Sequence, residues 1–249
     1  MTFWQDWFYG KYHSNDKHTT LGLDDVQKSI ITVHDVEIAV AGEYGASSSL
    51  LMNTVTNESI VRVLRLVMNS SNPFNNGLLS IERDIIFKPD EGPNYDFGGI
   101  TRDLKESDLI VVESTFNVNV SINGQTTSSG LVLATASGKS NVNVTNCDVN
   151  YTILFNDSSY ARSPGVLGRI IEPNMTLVWN VSTRIFINNT ETPGTGFIGT
   201  GVLGNFSIIN TTADIWLNGD SRGTGFIGYV EQNASQWDEW ATKKCKGPK

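Results

Sequence analysis

The run Leu109-Ile110-Val111-Val112-Glu113-Ser114-Thr115-Phe116-Asn117-Val118-Asn119-Val120 decides the fold class. Its apolar residues are consecutive from Leu109 to Val112 and recur at every second residue from Phe116 to Val120, and most of them are β-branched or aromatic. This period is typical of a strand with one buried face, because successive side chains of a strand point to opposite sides. The same pattern at Ile60 to Val67 and at Ile81 to Phe87, with little helical signal elsewhere, predicts a chain of β-strands.

Turn-forming residues separate these segments, as in Asn69-Ser70-Ser71-Asn72-Pro73 and in Lys88-Pro89-Asp90-Glu91-Gly92-Pro93. Short strands at regular spacing between such turns are typical of antiparallel sheets packed face to face. We therefore expect an all-β chain made of two tandem immunoglobulin-like antiparallel β-sandwich units.

A comparison of the chain with itself supports the two units. A shift of 68 residues lays Ile81–Phe87 on Val149–Phe155 and Asp108–Thr115 on Thr176–Thr183 without a gap. An ungapped match over two strands and their loop indicates duplication. The predicted organisation is an aromatic-rich arm at 1–30, a first sandwich at 31–122, a second sandwich at 126–232 and a tail at 233–249.

A glycine-rich hexapeptide occurs twice, as Gly194-Thr195-Gly196-Phe197-Ile198-Gly199 and as Gly223-Thr224-Gly225-Phe226-Ile227-Gly228. It fits the pattern G-x-G-x-x-G, but a dinucleotide site needs a helix start after the glycines, and neither copy is followed by one. Alternating glycines leave one face of a strand bare and permit another backbone or an aromatic ring to approach closely. We interpret the repeat as strand packing or bulge formation.

The charge balance excludes some partners. The formal net charge is −8 and the pI is near 4.9. A phosphate-binding face needs clustered Lys and Arg, and only Lys243-Lys244-Cys245-Lys246 is clustered. No stretch reaches about 18 consecutive apolar residues. Met1 to Tyr12 has neither the basic n-region nor the apolar h-region of a secretory signal peptide. We expect no nucleic-acid partner, no membrane span, and export by a removed leader or another signal.

Acceptor triplets Asn-x-Ser/Thr are unusually frequent, since chance placement predicts about four. The chain has twelve, at Asn57, Asn69, Asn119, Asn143, Asn150, Asn156, Asn174, Asn180, Asn188, Asn205, Asn210 and Asn233. We expect N-linked glycans and a location that is extracellular, at the cell surface or at a virion surface. The alternative is a composition biased toward Asn, Ser and Thr on exposed strand faces.

The two cysteines, Cys147 and Cys245, lie far apart in the sequence. In an oxidising compartment they could close one long loop and stabilise the fold by restricting the unfolded chain. A buried thiol and a separate tail thiol are the alternative, because the sequence fixes no distance between them.

Patterns for metal binding and catalysis are scarce. The loop from Asp90 to Asp96 gathers hard oxygen donors, so Asp90, Glu91 and Asp96 are candidate calcium ligands, with a solvated acidic turn as the alternative. The three histidines lack the spacing of a ligand set, and no G-x-S-x-G elbow is present. We expect a non-catalytic protein without a cofactor, unless two carboxylates distant in sequence converge in a cleft.

The first twelve residues are crowded with aromatic side chains, and Trp237 and Trp240 repeat this near the other end. Burial of each ring contributes about 1.5–3 kcal/mol. Docking onto the chain's own sheets, docking onto a neighbouring molecule's sheet edge, and contact with a membrane surface remain alternatives. The candidate assembly arm comprises Trp4, Trp7, Phe8 and Tyr9.

Several stretches together resemble the group-2 late-embryogenesis-abundant family and the related water-stress-and-hypersensitive-response domain. In the first unit they are Val63–Asn69, Ser71–Phe74, Ser80–Phe87 and Asp108–Val120; in the second they are Val149–Ile153, Ile171–Thr176 and Val178–Ile187. The second unit departs from the family pattern because it lacks the Asn-Pro turn. The resemblance implies an immunoglobulin-like sandwich without catalytic residues, acting in stress protection, in lipid or membrane association, or as an extracellular module.

The expected function is that of a non-catalytic secreted or surface-exposed glycoprotein with a structural, adhesive or assembly role. Its partners would be further copies of itself, in a filament or a virion, or another surface protein. The alternative is a lipid- or membrane-associated stress-protection module with an apolar ligand between its sheets. A filled core favours the first function, and a continuous apolar cavity favours the second.

Overall fold

The computed structural model describes residues 2–3, 7–13, 23–44, 48–70, 85–87, 96–122, 125–126, 128–155, 160–161, 163–192, 195–221 and 224–231. Within these ranges every regular element is a β-strand. In chain order the strands are β1 (Thr2–Phe3), β2 (Trp7–His13), β3 (Leu23–Gln27), β4 (Ile30–His34), β5 (Glu37–Tyr44), β6 (Ser48–Ser49), β7 (Met52–Thr56), β8 (Ile60–Leu64), β9 (Val67–Asn69), β10 (Ile85–Phe87), β11 (Asp96–Gly98), β12 (Thr101–Lys105), β13 (Asp108–Val112), β14 (Thr115–Ile122), β15 (Gln125–Thr126), β16 (Ser128–Ser137), β17 (Asn141–Thr145), β18 (Asp148–Phe155), β19 (Tyr160–Ala161), β20 (Pro164–Ile171), β21 (Met175–Trp179), β22 (Ser182–Thr192), β23 (Thr195–Val202), β24 (Phe206–Ile209), β25 (Thr212–Ser221) and β26 (Thr224–Glu231).

The strands form three main parallel sheets around one core. Sheet A has the order β1-β4-β8-β13-β17-β21-β24, and sheet B has the order β10-β5-β9-β14-β18-β22-β25 with β2 beside β5. Sheet C has the order β26-β23-β20-β16-β12-β7-β3. The chain visits sheets A, B and C in turn, as in β13, β14 and β16, and then returns to sheet A with β17. This path is a β-solenoid, in which each coil lies beside the next.

Equivalent side chains stack from coil to coil, because neighbouring strands pair in parallel register. One column of sheet A contains Val33, Val63, Val111, Val144, Val178 and Ile208. The first five side chains are buried, and four of them have no exposed surface. Burial of each such side chain contributes about 1.5 kcal/mol or more, so the columns are the main apolar contribution to stability.

Single left-handed residues bend the chain between sheets A and B. These corner residues are Asp35, Arg65, Glu113, Asn146, Asn180 and Asn210, with φ between 48° and 55°. The backbone N–H of each of the first five donates to a carbonyl of the following coil, as from Asn180 to Ile209 at 3.0 Å. Asn and Asp tolerate this conformation best among residues with a side chain. The corner therefore bends the chain without interrupting the backbone hydrogen bonds between coils.

The corner between sheets C and A also contains left-handed residues, followed at three levels by a buried serine. The left-handed residues include Glu58, Glu106 and Lys139, and the serines are Ser59, Ser107 and Ser140. The backbone N–H of Ser59 donates to the hydroxyl of Ser107 at 3.1 Å. The backbone N–H of Ser107 donates in turn to the hydroxyl of Ser140 at 3.4 Å. These hydroxyls satisfy buried backbone donors, as buried polar groups require.

One coil is longer than the others. Register pairs join Ile30 to Ile60, Ile60 to Asp108, Asp108 to Asn141, and Asn141 to Met175, so the differences in residue number are 30, 48, 33 and 34. In the long coil β9 and β10 both pair with β5 and β14, at different positions along them. The residues between β9 and β10 are therefore an insertion into a coil whose neighbours are continuous.

The prediction of tandem antiparallel immunoglobulin-like sandwiches is wrong. The strands of all three main sheets pair in parallel, and each main sheet contains strands from both 31–122 and 126–232. The 68-residue shift lays Asp108 on Thr176, whereas register places Asp108 beside Asn141 and Asn141 beside Met175. The similarity therefore reflects two coils of the solenoid. The shift agrees with the register at Ile85, which aligns with Ile153 through Val120. At Asp108 it is displaced by one residue, and such a displacement exchanges the faces of a strand.

Candidate functional site

Asparagine side chains form a hydrogen-bonded ladder at the corner between sheets A and B. Asn180 Nδ2 donates to Asn146 Oδ1 at 2.8 Å, and Asn210 Nδ2 donates to Asn180 Oδ1 at 2.9 Å. These are corner residues of successive coils, so each amide lies directly against the next. Sequence reasoning missed Asn146, which is not in an acceptor triplet. The signal for it is the spacing of 34 and 30 residues between the three asparagines.

The same corner carries charges at its other end. Arg65 Nη2 donates to Asp35 Oδ2 at 2.7 Å, and His34 Nδ1 lies 2.9 Å from the same carboxylate. The hydrogen bonds from Arg65 first, and from His34 second, hold the pKa of Asp35 well below its usual range. Because the Asp35 carboxylate is exposed to water, we assign the pair little weight in stability.

A groove follows each of the two corners. The groove at the corner of sheets A and B has a volume of about 530 Å³ and is lined by residues that include Glu113, Asn146, Asp148, Asn180 and Asn210. The groove at the corner of sheets C and A has a volume of about 680 Å³, and its lining includes Glu58, Glu106, Asp108, Lys139 and Glu172. Both grooves are open to solvent, so neither is a cavity that encloses a ligand.

In the part of the chain that the structure describes, the core ends at the coil made of β24, β25 and β26, with no further coil beyond it. These three strands end the order of sheets A, B and C at the same end of the solenoid. Phe197 in β23 is 0% exposed, whereas Phe226, at the same place in the repeated hexapeptide of β26, is 39% exposed. Ile185 is fully buried, and its register partner Ile215 is only partly buried. The apolar columns therefore continue to this end, and no described residue covers them there.

Exposed apolar side chains are concentrated in the last two coils. Of the large hydrophobic residues found exposed in the described part of the chain, all but Ile30 lie after residue 174: Met175, Trp179, Phe186, Leu203, Ile209, Trp216, Phe226 and Val230. Trp216 and Val230 are the most exposed, at 63% and 64%. Trp216 pairs with Phe186 and Ile209 pairs with Trp179, so these exposed side chains lie next to each other on the outer faces of sheets B and A. Adjacent exposed apolar side chains mark interaction surfaces in soluble proteins. This end of the solenoid, which we call the open end (β24, β25 and β26), is the candidate site.

A partly buried carboxyl lies near the start of β11. Asp96 Oδ1 accepts a hydrogen bond from the backbone N–H of Ser128 at 2.8 Å. Desolvation first, and the charge of Asp103 second, raise the pKa of Asp96 to about 7, against the opposing effects of Ser128, Arg102 and Arg169. Asp90 and Glu91, the other calcium candidates, lie outside the described residues. Among those described, no group of three or more His, Cys, Asp or Glu is arranged to hold a metal ion.

Cys147 is a buried thiol directly after the corner residue Asn146. Its Sγ donates to the carbonyl of Thr145 at 3.2 Å. Burial raises the pKa of this thiol to about 11, so it is protonated and unreactive near neutral pH. Cys245 lies outside the described residues, and the pairing of the two cysteines stays a prediction.

The acceptor asparagines are spread over the solenoid. Asn57, Asn150, Asn174, Asn180, Asn205 and Asn210 are exposed, and Asn69, Asn119 and Asn143 are partly buried. Asn188 lies on β22, but the structure does not describe its side chain. Asn156 and Asn233 lie outside the described residues. In the arm, Trp7, Phe8 and Tyr9 lie on β2, which pairs with β5 of the same chain. Trp4 and the tail at 233–249 are outside the described residues.

Comparisons with known protein families, with curated proteins and with solved structures gave no match to this chain. They leave the resemblance to late-embryogenesis-abundant proteins untested, although the sandwich that it implies is not the fold. The strand-only structure of the described ranges contains no helix able to cross a bilayer.

Proposed function

We propose that this chain is a non-catalytic structural protein, displayed outside the cell or on a particle surface, that assembles through the open end of its solenoid. The observation that carries the proposal is the partly exposed core at β24, β25 and β26, which no described strand covers. A rigid rod of stacked coils supplies a scaffold, and the open end supplies a place at which the scaffold joins a partner.

The partner that fits the open end best is a second copy of the same end. The other end of the stack differs, because β1 and β2 pair with β4 and β5 there. Beside them, Val26, Ile31, Val36 and Ile38 are all buried. Two open ends brought together would each cover the apolar side chains of the other. Their edge strands would also satisfy each other's backbone N–H and C=O groups. Contact between identical surfaces closes after two copies, so the expected assembly is a dimer with twofold symmetry.

Export from the cell fits this role and would explain the acidic charge and the many glycan acceptor sites of the sequence. The acidic balance, and the largely polar outward residues of sheets A and B in the coils before Met175, suit a solvated surface. The apolar side chains of the central coils, among them Leu109, Val142 and Tyr151, are fully or almost fully buried. That filled core supports the structural role over the alternative of a lipid-binding module. N-linked glycans remain part of the proposal at acceptor sites that the fold leaves accessible.

We expect Val230→Lys to abolish dimerisation of the full-length protein. Val230 lies on β26, the edge strand of sheet C in the described part of the chain, and twofold symmetry would place two lysines inside the interface without partners. Burying an unpaired charge costs several kcal/mol, so the dissociation constant should rise by about 100-fold or more. Sedimentation velocity over a range of protein concentrations measures this constant.

Met175→Lys is the matched control. Met175 is also an exposed apolar side chain, but it lies on β21, which is paired on both sides. This variant should dimerise like the wild-type protein. A wild-type protein that stays monomeric at every concentration, or a Val230→Lys variant that dimerises as well as the wild type, would contradict the proposal.

A further inference from the structure

Two acceptor triplets coincide with the geometry of a corner. In Asn180-Val181-Ser182 the first residue is the left-handed corner, the second points into the core and the third begins β22 with an exposed side chain. Asn210-Thr211-Thr212 repeats this arrangement one coil later, where Thr212 begins β25. A corner needs a residue that tolerates positive φ, and the strand after it begins with a polar outward residue. The coil therefore produces the triplet without any glycan.

Strand triplets have a similar origin. In Asn143-Val144-Thr145 the valine is fully buried, while in Asn150-Tyr151-Thr152 the tyrosine is fully buried. Each is a buried residue of β17 or β18 flanked by polar residues. Alternation between the two faces of a strand thus places Asn and Thr two residues apart. The same solenoid geometry accounts for triplets at corners and within strands.

We infer that Asn180 and Asn210 are structural amides of the corner ladder and carry no glycan in the folded protein. Both side-chain nitrogens are donors in the ladder, at 2.8 and 2.9 Å. A glycan is attached through that nitrogen, and neighbouring coils lie only about 4.8 Å apart. A sugar on Asn180 would occupy the space of the adjacent corner amides. This inference concerns the corner alone and holds whether or not the open end forms a dimer.

The first test separates the asparagine from the triplet in protein made without glycosylation machinery. Asn180→Gly keeps a residue suited to positive φ but removes both ladder hydrogen bonds, and should lower the Tm by about 3–8 °C. Ser182→Ala destroys the triplet but leaves the ladder intact, and should leave the Tm within about 1 °C of the wild type. Equal Tm values for Asn180→Gly and the wild type would overturn the structural role.

The second test maps glycans on the full chain secreted from a eukaryotic cell. Asn57 is the internal comparison. It is an exposed acceptor that is also left-handed, with φ of 57°, but its Nδ2 donates to the exposed side chain of Gln27 at 3.3 Å and not to another corner amide. We expect glycopeptides at Asn57 and bare peptides at Asn180 and Asn210. Occupancy of Asn180 or Asn210 in folded protein with a wild-type Tm would overturn the inference. A failed dimerisation assay with bare corner amides would reject only the proposed assembly.

Discussion

Gly196→Ala should lower the free energy of unfolding by about 3 kcal/mol or more, because a methyl group has no room at this position. Gly196 lies in a column of sheet C with Gly165 and Gly225, in paired strands. A Cβ on Gly196 would overlap the carbonyl oxygen of Gly225 and lie 2.9 Å from the backbone nitrogen of Gly228. These neighbours are backbone atoms, which move only if the strands separate.

Gly225→Ala is the control, since it makes the same change at the same place in the other copy of the hexapeptide. The nearest atom to its added Cβ is the carbonyl oxygen of Ile227, at 3.9 Å, which is ordinary contact. We expect its stability to stay within about 0.5 kcal/mol of the wild type. Urea unfolding followed by circular dichroism measures both variants. Equal losses in the two would contradict the close packing of β23 against β26.

Asp96→Asn should remove a pH dependence of stability. The pKa of Asp96 is about 7 in the folded protein and near 3.8 in the unfolded chain. Between these values the folded state keeps a proton that the unfolded state has lost, so the free energy of unfolding falls as the pH rises from about 4 to 7. Below about pH 4, Asp96 is protonated in both states, so the free energy of unfolding does not depend on its titration. Above about pH 7, Asp96 is ionised in both states, and the decrease in the free energy of unfolding is complete.

At pH 8 the Asp96→Asn variant should be more stable than the wild type by on the order of 2 kcal/mol, since Asp96 keeps some exposed surface that limits the cost of its charge. The amide oxygen of asparagine can still accept the hydrogen bond from Ser128. The charges nearest the site are those of Asp103, Arg102 and Arg169. Asp148→Asn, at an exposed position, is the control. Urea midpoints at pH 4, 6 and 8 that fall equally in Asp96→Asn and wild type would refute this account.

The sequence predicts the strands well and their arrangement poorly. Alternation in Leu109 to Val120 is a property of any half-buried strand, so it does not distinguish parallel from antiparallel pairing. That run contains the end of β13, the corner at Glu113 and the start of β14 in another sheet. A corner this short lacks the glycine and proline that mark longer turns. The sequence pattern therefore predicts one continuous strand where the structure has two strands in different sheets.

The close backbone approach predicted from the glycine hexapeptides is confirmed by the clashes that a Cβ would make at Gly196 and Gly228. The open end could not be predicted, because the exposure of Phe226 depends on which coil is last in the stack. Its sequence is the same as that around Phe197, which is buried. The acceptor triplets were visible in the sequence, but the corner positions of Asn180 and Asn210 depend on the coil period.

The coils differ in their number of residues but stack in the same way, and this suggests how the length of the solenoid can change. Each coil contacts mainly the coil before it and the coil after it. If one coil, such as 141–174, were lost or duplicated, the coils on either side of the change would still stack through equivalent strands. The rod would shorten or lengthen by about 4.8 Å while both ends kept their chemistry. The number of coils therefore sets the length of the solenoid. Evolution can change this length without changing the surface at either end.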